Sequence, residues 1–557
     1  MSSTTEAVKA SVADQQLAAQ SPPAEDTTVD GPYAKYVLAI LVLMGVLNFI
    51  DRQIFAILAE EIKADLGLSD GDLGFLFGTA FAVFYAIFGI PLGRLADSWT
   101  RTKQISLSVG FWSLMTALSG LTKSFLPLAV CRFGVAVGEA GATPSAYSLL
   151  YDYFSPKTRT TVMGIYGAGV SIGAGIGLFL GGAILGAWSN AWPDPSLAPF
   201  GLKGWQAAFM VVGLPGILLS LLIWTLKEPL RGGADAVRPS ANTTPIASSP
   251  TTHPVRTLVM EMLPMLPGVN LWLLQREGAG PKAQWLNLAM GVGIVLAATG
   301  LIQLTGDTLQ WMALGIGLYC AFSWAQALIC RDPVCFGLIV HCKTVRYLFL
   351  FFGLNIFASA AVGFWSIPWF QRYFGVSAME VGTMLGLSYA VVGLIGMVMG
   401  GVLADWLRQR TRRGKLYVAL GSVVFWLLAT VFMLSAESVL VAYAATISGT
   451  LVGTMVAAPV STTVTDLVLP RTRAITMALF ILVMNFMGVA LGPYCVGLLS
   501  DSLTVAGTDS GEALRYSMQW GLVISGISIV FLILATKHVV ADEDSLLDRA
   551  RTLGEDV

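Results

Sequence analysis

Four ionisable side chains stand inside apolar runs, where a charge has no water to solvate it. Asp51 and Arg52 lie in the run Leu47-Asn-Phe-Ile-Asp-Arg-Gln53, and Arg132 and Glu139 lie in Arg132-Phe-Gly-Val-Ala-Val-Gly-Glu139. A charge in the middle of a bilayer costs about 3 kcal/mol on insertion scales, so such residues usually serve a function. If these runs are helical, Arg132 and Glu139 share one face, about 10.5 Å apart along the axis. Asp51 and Arg52 are adjacent and diverge by about 100°. One of them then faces a cavity and the other a neighbouring helix. Arg52 reaching across to Glu139 would place opposite charges in one chamber. A carboxyl held between the cost of burial and the pull of an arginine takes up a proton when that arginine turns to an anionic substrate. Glu139 is therefore the first candidate for proton coupling and Asp51 the second. Arg52 and Arg132 are the candidate anion ligands. The plainer alternative is a satisfied buried ion pair that only fixes helix packing.

The later part of the chain is poorer in buried charge. Asn355, Trp365, Tyr389, Asn485 and Tyr494 supply polar and aromatic groups instead, and the first four are taken as substrate-facing. A charged first half and an apolar second half suit an amphiphile, with its headgroup on one side and its tail on the other.

Other chemistries find little support. Cys330, Cys335, His341 and Cys342 are ligand types that zinc accepts, but their spacing is not that of a finger, so no metal is assigned. The three histidines, at 253, 341 and 538, lie outside the apolar runs. No Gly-rich phosphate loop is present, so nucleotide hydrolysis is not expected to drive the protein. No catalytic residue and no cofactor are assigned. A net charge of -1 argues against a nucleic-acid partner.

The elements that must position these residues follow from composition. Of the 557 residues, 55% are hydrophobic and 12% charged, with a mean hydropathy of +0.71. A soluble domain carries about 25% charged residues. The apolar runs lack period-two alternation, which disfavours a membrane β-barrel. Runs long enough to span a bilayer occur about six times between 36 and 226 and about six times between 346 and 536. Two further runs, near 285–304 and 310–330, read as an inserted spanning hairpin, for about fourteen spans in all. The expected organisation is a polar tail (1–34), a six-helix bundle (35–228), a linker (229–284), the hairpin (285–330), a second six-helix bundle (331–537) and a tail (538–557). Basic residues such as Arg94, Lys103, Lys157, Arg410 and Lys415 collect in loops on one side. Acidic residues such as Glu60, Asp70 and Asp501 collect on the other. By the positive-inside rule both termini are expected in the cytoplasm.

One loop pattern occurs twice. After the second span the chain reads Gly93-Arg-Leu-Ala-Asp97, followed by Arg101; after the eighth it reads Gly401-Val-Leu-Ala-Asp405, followed by Arg408. A shared Gly-x-Leu-Ala-Asp at matching places in two halves marks an internal repeat. Glycine lets helices approach, and an aspartate can pair with helix amides or an arginine. Such a loop could latch one state of a rocking bundle.

This repeated loop resembles that of the major facilitator superfamily, with Thr100 where the family usually has glycine. The runs around Asp51-Arg52-Gln53, Gly89-Ile-Pro91 and Gly138-Glu139-Ala-Gly-Ala-Thr-Pro144 resemble Spinster-type transporters more narrowly. That resemblance spans both six-helix halves and leaves out the insertion at 231–330. It implies an all-α membrane fold with a central cavity between the halves. It further implies alternating access, a lysophospholipid or sphingolipid cargo, protons as a second partner, and functional weight at Asp51, Arg52 and Glu139. The same elements are similar to those of anion:cation symporters that carry sugar acids, which commonly have Asn where this chain has Ala142. A monomer in a bacterial plasma membrane is the expected setting.

Overall fold

The computed structural model describes residues 29–231, 254–276, 280–331, 333–469 and 472–554. Among them are helices and no strand. The first half comprises α1 (Pro32–Ile57), the short α2 (Ala59–Leu66), α3 (Asp70–Ala96), α4 (Arg101–Ser119), α5 (Phe125–Tyr153), α6 (Arg159–Ala191) and α7 (Gly204–Trp224). Then come α8 (Pro254–Met262), α9 (Val269–Arg276) and the hairpin α10 (Pro281–Thr305) and α11 (Thr308–Arg331), followed by α12 (Pro333–His341). The second half comprises α13 (Lys343–Phe374), α14 (Ala378–Arg410), α15 (Gly414–Leu434), α16 (Val439–Asp466), α17 (Ile475–Val505) and α18 (Ser510–Asp544), followed by the short α19 (Leu546–Thr552).

Local sequence sets the helix boundaries. Pro32 opens α1 at a position where its missing N–H is not needed. Gly67 ends α2 with φ 64°, a left-handed conformation natural to glycine. Ser69 and Asp72 then form a reciprocal capping box that starts α3.

Among the described residues, thirteen helices are long and apolar enough to cross a membrane. The expected third span is the exception. Its helix, α4, is diluted by Gln104, Ser106, Ser113 and Thr116, yet all of these are buried. Gln104 donates to the Leu92 carbonyl at 2.7 Å and Ser106 to the Ser220 carbonyl at 2.7 Å. α4 thus turns its polar face inward, against α5 and α7, rather than toward lipid.

The two halves repeat one neighbour pattern. α4 packs on α5 and α7, and α15 packs on α16 and α18. The halves meet along two seams, α6 with α14 and α3 with α17. Both α3 and α17 carry a π-helical turn at their seam, Phe75–Thr79 and Met484–Val489. Thr79 donates to the Ala490 carbonyl between those turns at 2.7 Å.

The expected tail at 1–34 and linker at 229–284 fall partly outside the described residues. Within the expected linker, α8 and α9 are helical, and α8 lies along α3. Amphipathic spacing in Pro254–Met262 explains this, because its apolar side has a helix to cover. The expected tail at 538–557 begins as a continuation of α18. Within the described residues it goes on to α19, which buries Ala550 against Leu338 and Leu469.

Candidate functional site

α1 and α5 bring the four membrane charges of the first half together. Arg52 donates from Nε to Glu139 Oε2 at 2.8 Å, and its Nη2 lies 2.7 Å from the same oxygen. Glu139 is fully buried, while Arg52 keeps about a quarter of its side chain exposed, 24%. The guanidinium stands over the rings of Phe49, Phe81 and Tyr85, at 4.9, 4.4 and 5.1 Å from their centroids.

Asp51 points the other way, into the packing of the first half. Both of its carboxylate oxygens are buried and make no hydrogen bond to protein. Thr116 and Trp112 of α4 stand beside it. Asp51 is 1% exposed and Arg132 2%. α5 begins at Phe125, which puts Arg132 two turns inside the helix. There its Nε donates to the Leu76 carbonyl at 3.3 Å, and its guanidinium lies over Phe55 at 5.1 Å and Phe81 at 5.7 Å. Phe81 thus serves both arginines.

The second half holds a cavity of about 330 Å³ whose lining is mostly apolar. Asn355, Ser359, Tyr389, Trp426 and Thr450 are in its wall. Two of the residues taken as substrate-facing, Asn355 and Tyr389, are therefore at the cavity, and Asn355 Oδ1 has no protein partner. The other two are not in its wall. Asn485 sits in the π turn of α17 and donates back to the Ile481 carbonyl at 2.9 Å. Trp365 is fully buried, and its Nε1 donates to the Pro493 carbonyl at 2.7 Å. Its indole is spent on holding α13 against α17.

The pair α13–α17 belongs to a second cluster that sequence reading missed, at the end of the molecule where acidic residues collect. Arg372, at the end of α13, is clamped by two carboxylates of the first half. It donates to Glu60 at 2.7 Å and 3.0 Å and to both oxygens of Asp70 at 2.7 Å. Lys63 also pairs with Asp70, and the Ser500 hydroxyl donates to it at 2.8 Å. Asp501 of α17 accepts the backbone N–H groups of Asp70 and Gly71 at 2.9 and 2.7 Å. A carboxylate of the second half thus caps the first turn of α3, where the helix dipole favours an anion. The available signal was an arginine closing an apolar run on the side rich in acids.

Space along the seams confirms which end is shut. A Cβ added at Gly74 or Gly78 would lie 2.5 Å from carbonyls of α17, and one at Gly175 would lie 2.2 Å from the Gly386 carbonyl. Toward the basic end, Gly89 and Gly93 of α3, Gly164 and Gly167 of α6, and Gly401 of α14 have nothing within 4 Å of such a Cβ. The halves are in contact at the acidic end and parted at the basic end.

The repeated loops at the basic end bind within each half. Arg101, of the loop expected to latch one state, is 1% exposed. It joins Asp152 of α5 at 2.5 Å and Glu228 beyond α7 at 2.7 Å. Arg408 pairs with Glu543 of α18 at 2.8 Å. Asp405 is exposed, and the side chain of Asp97 lies outside the described part of the structure.

Relatives agree with this architecture. The model of the Major Facilitator Superfamily matches residues 41–493. A solved "Bacterial Homolog to Human Lysosomal Transporter, Spinster, in Inward-facing And Occupied Conformation" is 25% identical, with a TM-score of 0.66, covering 92% of this chain and 98% of that one. An "MFS-type efflux pump" of Mycolicibacterium smegmatis is 27% identical over 84% of each chain. The "Sphingosine-1-phosphate transporter SPNS2" of Xenopus tropicalis is 21% identical over 88% of this chain and 78% of its own. With two pseudo-equivalent six-helix halves meeting along paired seams, and with that match across most of its length, this chain belongs to the Major Facilitator Superfamily and is a Spinster-like membrane transporter rather than an enzyme.

Proposed function

We propose that the chain moves an anionic amphiphile, of the lysophospholipid or sphingolipid class, by proton-coupled alternating access. One observation carries this reading. A buried carboxylate–arginine cluster lies in one half, and a mostly apolar cavity of about 330 Å³ lies in the other. An anionic headgroup competes with Glu139 for Arg52, which is the partly exposed member of the pair. Arg132 adds to the positive field from behind Phe81. The tail fits the cavity beside Asn355 and Tyr389.

When Arg52 turns to the headgroup, Glu139 is left buried without a counter-charge, and protonation is the low-energy response. Asp51, buried with no hydrogen bond to protein, is the second carrier. The basic end is read as cytoplasmic by the positive-inside rule, which makes this an inward-open state in a bacterial plasma membrane with both termini inside. The loop glycines Gly93 and Gly401, with open space around them here, then close together in the outward-open state.

Liposomes carrying the purified protein test this directly. A fluorescent lysophospholipid should move faster under a pH gradient, and Glu139→Gln should remove the pH-dependent part of the flux. Arg52→Ala should abolish transport of the anionic lipid. Intact pH coupling in Glu139→Gln would remove that residue's role. Flux of a hexuronate or an aromatic acid, with none of the lysolipid, would move the cargo to the organic-anion class, which the same arginines also suit.

A further inference from the structure

The inserted hairpin has no counterpart in the repeated six-helix pattern, yet it is built into the seam that closes the acidic end. α10 and α11 are joined to each other by a buried polar set. Asn287 donates to Gln326 at 2.6 Å and to Ser323 at 3.1 Å, and it accepts from the Tyr319 hydroxyl at 2.7 Å. In an apolar setting such bonds hold two helices as one unit. α10 leaves its outer surface uncovered, whereas α11 turns inward.

The inner face of α11 touches both halves at once. A Cβ at Gly317 would lie 2.5 Å from Phe486 of α17 and 2.6 Å from Val83 of α3, so α11 is wedged against both. Leu314 is buried in one apolar cluster with Ala82, Val83 and Ala86 of α3 and Phe486 and Ala490 of α17. At the hairpin turn, Asp307 Oδ2 accepts the Tyr494 hydroxyl of α17 at 2.5 Å. Trp311 packs edge-on against the Tyr494 ring at 5.6 Å and donates from Nε1 to Thr305 at 2.8 Å. Tyr494 is no peripheral residue: its Cα lies 2.7 Å from where a Gly74 Cβ would stand, and Asp307 Oδ2 lies 3.9 Å from that point on Gly71.

We infer that the hairpin is a brace across the α3–α17 seam and that Asp307 is a positioning residue for the gate at the acidic end, setting Tyr494 where α17 closes on α3. Opening that end parts α3 from α17, and α11 cannot then keep its contacts with both. Contacts made in one state and lost in the other shift the equilibrium toward the first. The hairpin therefore biases the transporter toward the state closed at its acidic end. This rests on the alternating-access part of the proposed function and on none of its cargo assignment.

Spin-label distances in liposomes test it. Labels at Glu61→Cys and Thr504→Cys, on a background without native cysteines, report the acidic end; both positions are exposed and belong to opposite halves. Asp307→Ala and Tyr494→Phe should each raise the population with a long distance, by about five-fold for a coupling of ordinary size. Asp307→Asn, which keeps an acceptor oxygen, should restore most of the short-distance population. Arg372→Ala serves as the reference, because it unlatches the halves without touching the hairpin. If Arg372→Ala lengthens the distance and neither hairpin-bond variant does, the brace is refuted while alternating access stands. If no variant and no substrate changes the distance, both readings fall. Tyr494→Phe keeps the ring and its packing, so a result does not depend on how Asp307→Ala folds.

Discussion

At the acidic end, charged side chains reach from one half of the molecule to the other; at the basic end, they stay within a half. Arg372 of α13 holds Glu60 and Asp70 of the first half, and Asp501 of α17 caps α3. Arg101 instead ties together the ends of α4, α5 and the segment after α7, all in the first half. Arg408 and Lys415 do the same in the second half, with Glu543 and Asp466. Bonds within a half survive any rigid-body rocking and so make each bundle one body. Bonds between halves exist in one state only, and they are what a transporter must break and remake. The repeated loop motif is conspicuous in the sequence, and in this state its arginines bond within their own halves. The latch between bodies is carried by residues that no motif marks.

Four substitutions sharpen or break that contrast, and their expected effects fall in order. Arg372→Ala leaves the nearly buried Asp70 facing only Lys63 and Ser500. Breaking such a pair should cost the closed state about 3–5 kcal/mol, read as a cysteine at the acidic end becoming reactive to an impermeant thiol reagent. Unchanged reactivity would mean the clamp is ornamental. Arg101→Ala should lower thermal stability in detergent by about 3 kcal/mol while leaving distances at the acidic end unchanged. A change in those distances would return the motif arginine to the gate. Gly78→Leu sets a side chain against the Val489 carbonyl and should cost the closed state about 1–3 kcal/mol, seen as a larger open population with an ordinary melting temperature. Arg412→Ala should leave both stability and distances where they were, because its pairs with Glu543 and Asp544 are exposed. The carboxylates of Asp544 and Glu543 hold the Arg412 guanidinium above its usual range, but water screens what that is worth.

Much of the scaffold was legible before folding. Long apolar runs must be helices in lipid, since only internal hydrogen bonding satisfies the backbone there. Asp51, Arg52, Arg132 and Glu139 announced themselves because charge in such runs needs a partner, and Arg52 reaching across to Glu139 was the pairing expected, which the structure contains. Trp365 was assigned to substrate because a buried indole looks the same in a list whether its N–H faces a ligand or the Pro493 carbonyl. Asn485 was assigned on the same grounds, and its own helix satisfies its amide. α4 shows the limit from the other side: its serines lower its hydropathy, yet they are buried against α5 and α7 rather than set in water.

The sequence by itself determined the solvent of this protein, its helical content, its duplication and the cluster of charges in its first half, because each follows from local composition or short spacing. Only the tertiary structure decided which charges lock the two halves. Arg372 and Glu60 are 312 residues apart, and Tyr494 and Asp307 are 187 apart. Nothing in local propensity couples positions so distant. They meet because two separately built bundles, with a hairpin laid across their seam, leave only one way for those groups to be paired out of water.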